Sequence, residues 1–178
     1  MRQSVPKFMF LLMLLCAGAG LNAQTLKVTD PVKYNDYIVD QQNLIGEQLV
    51  KLIGMFDALP EDKTVVTDQL EILITQCKSS VKSVQNLKPI PNEFGMKQGA
   101  LDLFSFYQVT MDTYYRQMID EVYKEVPDAE VLQGIVTNVQ ENEAKYDDAF
   151  QASQGKFAKY HNIQLGENEL QQELEGEE

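Results

Sequence analysis

Asp36, Asp40, Asn43 and Glu47 recur at steps of four, three and four residues, the spacing that lines side chains up on one face of a helix. Four oxygen-bearing side chains in a row are raw material for a cation site or for acid–base work. Cys77 and His161 are the residue types of a thiol–imidazole nucleophile. None of these is completed by its sequence surroundings. Bundle di-iron sites draw on Glu-x-x-His pairs, and His161, the one histidine, has Ala158 three residues before it. No Asp-x-Asp-x-Asp-Gly loop, phosphate loop or Gly-rich nucleophile turn occurs. Cys77 falls in the middle of one predicted helix and His161 at the far end of another. The expectation is a non-enzymatic chain with no cofactor and no metal.

The elements that would position these residues are helices. Apolar residues recur at threes and fours over long segments, with Pro-containing breaks between them and no alternating strand pattern. The first helix opens with Asp30 as N-cap and Pro31 at the first helical position, follows Tyr34, Ile38, Ile45, Leu49, Leu52 and Phe56, and breaks at "LPEDK". The second runs from about 64 to 87 through Leu70, Leu73, Cys77 and Val84 and ends at "KPIPN". The third spans about 93 to 126 through Leu103, Tyr107, Met111 and Tyr114. The fourth spans about 128 to 160 through Ile135, Val139, Tyr146, Phe150 and Phe157. Short connections force antiparallel neighbours, so the expected fold is all-α, an up-down-up-down four-helix bundle with long antiparallel helices, monomeric or homodimeric.

On that bundle the acidic row of the first helix reads as its solvated face, with Asp36 favoured near the N-terminus by the helix dipole. Gln41 differs, because it lies between Ile38 and Ile45 on the apolar stripe. A buried amide needs partners, and Asn142 and Ser153 on the fourth-helix stripe are the expected ones, in a polar layer fixing register. In "LFSFYQVTMDTYYRQM", Phe104, Tyr107 and Tyr114 read as core. Phe106 leaves their face and Tyr115 lies at its edge, a candidate aromatic patch for a partner or an apolar ligand. The candidate contacts are therefore Asp36, Asp40, Gln41, Asn43, Phe106 and Tyr115.

The ends of the chain bound its compartment. Residues 1–23 carry Arg2 and Lys7, an apolar run from Phe8 to about Ala17, then small residues. That is the order of an export signal, with cleavage expected after Ala23. Cys16 offers lipidation as the alternative, although Leu15 stands where that machinery usually takes a small residue. Residues 24–165 form the expected bundle domain, and 166–178, "GENELQQELEGEE", an acidic tail too polar to pack. The formal net charge of −12 argues against nucleic acid and anionic membranes as partners. After cleavage Cys77 is the remaining cysteine, so no internal disulfide is available and stability must come from the core. The expected location is exported, periplasmic or cell-surface.

Three stretches, "YNDYIVDQQNLIGE" from Tyr34, "LDLFSFYQVTMDTYYRQM" from Leu101 and "YDDAFQASQGKFAKYHNI" from Tyr146, resemble a family of exported helical surface proteins of spirochaetes and Bacteroidota with no established activity. The resemblance implies an envelope or surface location and a helical bundle. It implies no functional residue. Some members are lipoproteins, a pattern from which Leu15 departs. Together these readings point to an exported envelope or surface protein acting as a binding or structural module, or to a carrier of a small apolar ligand held between helices.

Overall fold

The structure, a computed structural model, describes residues 25–165. The expected signal, Cys16 and the acidic tail lie outside the described residues. Four helical rods pack together: α1 (Pro31–Ala58), α2 (Lys63–Asn86), a continuous rod made of α3 (Met96–Thr110), a π turn (Met111–Tyr115) and α4 (Arg116–Val122), and α5 (Ala129–His161). Extended pairing among the described residues is a parallel bridge between Leu26 and Leu87. No helix among the described residues is long and apolar enough to cross a membrane.

The helix starts follow from short acidic caps. The Asp30 carboxylate accepts the Lys33 N–H at 3.0 Å ahead of Pro31, Asp62 accepts that of Thr64 at 2.9 Å, and Asp128 accepts those of Glu130 and Val131 at 2.9 and 3.3 Å. The third rod is shorter than its periodicity suggests. Asn92, Phe94 and Gly95 all adopt left-handed backbone, φ 58°, 53° and 80°, which ordinary residues avoid, so the helix cannot begin before Met96. Glu93 then caps it by accepting the Lys97 N–H at 3.0 Å. At the other end Glu121 accepts the Asp128 N–H at 2.9 Å, turning the chain just after Val122 and leaving Val126, expected inside the helix, 81% exposed.

α1 packs on α2, α2 on α3, and α3 on α5. Ile38, Ile45 and Leu52 meet Leu70, Leu73, Cys77 and Val84 in one core with Leu103, Phe104, Phe150 and Phe157. Each such side chain contributes about 1.5–3 kcal/mol when removed from water. Gly99 lets α3 approach α5, since a Cβ there would lie 3.1 Å from Ser153 Oγ and 3.2 Å from the Phe150 Cα.

The helix termini gather at two ends. At the first, which we call the aromatic end, Tyr34 donates to Glu93 at 3.0 Å and packs on Phe157 at 5.7 Å. Asn92 donates to the Tyr160 hydroxyl at 2.9 Å, Phe94 meets Tyr160 edge-on at 5.3 Å, and Lys97 Nζ caps α2 through the Gln85 and Leu87 carbonyls at 2.9 and 2.6 Å. At the second, the acidic end, Lys63 pairs with Asp120 at 2.7 Å and the Tyr123 hydroxyl donates to the Pro60 carbonyl at 2.6 Å.

Candidate functional site

The π turn continues α3 and packs against α2, with Tyr115 reaching α1. One residue more per turn rotates the side chains that follow, and such turns recur at functional sites. Here Tyr115 packs against Phe56 of α1, ring centroids 6.5 Å apart. Phe106 stacks on Tyr146 of α5 at 4.8 Å and 22°, and touches Tyr107 at 6.1 Å. All five rings are half-buried. They fall into two groups along a row, Phe56 with Tyr115 and Phe106 with Tyr107 and Tyr146.

Glu143 of α5, also half-buried, faces this row. Burial pushes its carboxyl above the ordinary glutamate range, the hydrogen-bonding interaction with Tyr107 opposes that shift, and the charge of Asp147 adds to it. The Tyr107 hydroxyl is held well above its usual value by burial first and by Glu143 and Asp147 next. Burial, then Glu143, takes Tyr115 up to about 12. At neutral pH both tyrosines are neutral donors beside a carboxyl that is reluctant to ionise. Thr110, one turn beyond Phe106 and Tyr107 on the face turned to α5, is 1% exposed and its Oγ1 has no hydrogen-bond partner. The cluster can therefore donate, accept and stack. It holds no activated nucleophile: the Cys77 thiol is buried and pushed up to about 12 by desolvation, far from a reactive thiolate.

The residues singled out from the sequence are divided by the structure. Phe106 and Tyr115 belong to the cluster. Asp36 and Asp40 are exposed on α1, with Asp36 accepting from Asn35 at 3.3 Å. Asn43 is half-buried with its Oδ1 unpartnered, and Gln41 is half-buried. The polar layer expected around Gln41 does not form in that shape. Asn142 is exposed and donates to Asn138 on its own helix at 2.7 Å, while Ser153 turns back to Phe150 at 2.7 Å. Polar ties between helices run instead from Ser80 to the Gln41 carbonyl at 3.1 Å, from Gln69 to Gln48 at 3.2 and 3.3 Å, and from Gln154 to Asn35 at 2.9 Å. His161 ends α5 against Phe157 and Tyr160 at 4.5 and 4.9 Å. Among the described residues no three His, Cys, Asp or Glu converge as metal ligands.

Glu143 is the residue sequence reasoning passed over. It lies four after Val139 and three before Tyr146, as close to the apolar stripe as Asn142. The buried face of α5, set by Val139, Phe150 and Phe157, is centred on the Glu143 side. No protein family, curated protein or solved structure matches the chain.

Proposed function

We propose that this chain is an exported, non-enzymatic binding module of the cell envelope or surface, and that it binds at the cluster of Phe56, Phe106, Tyr107, Tyr115, Tyr146 and Glu143. The observation that carries the reading is a buried carboxyl and an unpartnered buried hydroxyl set among half-buried aromatic rings contributed by three helices. Pockets that hold small ligands have this make-up, mostly apolar with a few polar groups. Export is supported by the order of charge, apolar run and small residues in 1–23. The contacts at the two ends support an up-down-up-down arrangement of the rods, and the stretches noted above support kinship with the exported helical surface proteins they resemble.

A second reading, a carrier of a small apolar ligand, is favoured by the position of the cluster between helices rather than on one outer face. Native mass spectrometry of protein recovered from an expressing cell envelope tests both. A chain beginning at Gln24 and carrying a small molecule that Tyr115→Leu loses is the expected result. An unprocessed, bare chain would contradict export and binding together, and a protein partner retained by Tyr115→Leu would contradict the cluster as the site.

A further inference from the structure

The chain is acidic overall, yet its charge is unevenly placed. The aromatic end collects Lys27, Lys88, Lys156 and Lys159, all exposed, against the acids Asp30, Asp36 and Glu93, and Glu93 is already held by Tyr34 and the Lys97 N–H. Beside these lysines stand two aromatic rings that the fold leaves outside, Phe94 at 44% and Tyr160 at 56% exposed. Phe94 is held out by its left-handed backbone and by its edge contact with Tyr160. Acids crowd the other end: Asp57, Glu61, Asp62, Asp120, Glu125, Asp128 and Glu130 are exposed there.

Distance decides which charge an approaching surface feels. α1 has 28 residues, so the ends are about 42 Å apart at ~1.5 Å per residue, several times the Debye length of about 8 Å at physiological salt. The acidic end is screened from anything touching the aromatic end. Net charge, which argued against anionic membranes, is therefore the wrong quantity.

From this we infer that the aromatic end is a docking surface for an anionic lipid membrane. Lysines that meet anionic headgroups around protruding aromatic rings are the chemistry of interfacial attachment. The chain supports this orientation. Leu26 is fixed at this end by hydrogen bonds to Asn86 and Lys88, 2.9 and 2.8 Å, which keeps the exposed Lys27 and Lys88 there together. The six glutamates of residues 166–178 would oppose the contact. The inference is independent of the ligand cluster.

The test is co-sedimentation of the chain from Gln24 to Glu178 with vesicles of mixed phosphatidylglycerol and phosphatidylcholine, against pure phosphatidylcholine. Each lysine at such a surface is worth about five-fold, so Lys88→Ala with Lys159→Ala should weaken binding roughly thirty-fold. Phe94→Ser should weaken it further, and ending the chain at Leu165 should strengthen it. Lys51→Ala with Lys63→Ala, the same charge change away from this end, should leave binding unchanged, with thermal melts confirming that every variant folds. Equal loss from the two lysine pairs would overturn the inference, as would binding to pure phosphatidylcholine that matches the mixed vesicles, or no vesicle binding by the chain ended at Leu165.

Discussion

The two halves of α5 are built differently. Its second half buries Phe150, Ser153, Phe157 and Ala158 against α3 and the aromatic end, whereas its first half buries Ile135 and Val139 and exposes most of the residues around them. The second half is held by close packing, with Gly99 admitting Phe150 to the α3 backbone. The first is held by polar closure: Glu121, its carboxyl lowered by Lys124 at 2.5 Å and by the Asp128 N–H, ties the turn, and Asp128 caps the helix. Packing resists local opening better than exposed hydrogen bonds do. Glu143 lies where the two regimes meet, so the cluster has a rigid wall toward Phe150 and a yielding one toward Ala129.

The largest effect that would sharpen this contrast is Phe157→Ala. Removing a fully buried ring at the aromatic end should cost about 3–5 kcal/mol in chemical denaturation, and a cost below that of the cap variant below would break the comparison. Gly99→Val should cost about 1–3 kcal/mol by forcing α3 away from α5, and it should disturb Phe150 resonances before those of Ile135. Asp128→Ala removes two cap hydrogen bonds and should cost about 1 kcal/mol, with amide exchange accelerated in residues 129–139 and unchanged in 150–160.

The smallest effect is a change of slope with pH. The folded-state value of Glu143 is raised by burial, so the neutral form favours the fold. The stability it lends is fully present below the ordinary glutamate value and is lost as pH rises through the raised one. Glu143→Gln should flatten that decline above the ordinary glutamate value and leave the alkaline limb, where Tyr115 titrates near 12, in place. A wild-type melting profile without such a decline would contradict the burial argument.

Much of the fold was legible because it rests on local rules. Asp30 and Pro31 announced the first helix start by cap chemistry alone, and the prolines at 60, 89, 91 and 127 placed the breaks. The late start of α3 was hidden, since left-handed backbone at Asn92 and Phe94 is accompanied by contacts of both with Tyr160, distant in sequence. The π turn had no signal either, since Met111–Tyr115 contains no Gly or Pro. Within the proposed cluster, periodicity pointed to Phe106 and Tyr115 and to Asn142 rather than Glu143, because the last two differ by one residue on a stripe whose centre only the partner helix defines.

The cluster beside the π turn is proposed to bind a ligand. Its most direct test is an NMR titration of the tyrosine-labelled chain with a small-molecule extract of the expressing cell envelope. The claim predicts saturable shifts at Tyr107, Tyr115 and Tyr146, lost in Tyr115→Leu, with Tyr34 and Tyr160 unmoved. Shifts confined to Tyr34 and Tyr160, or none at the cluster at saturating extract, would contradict it.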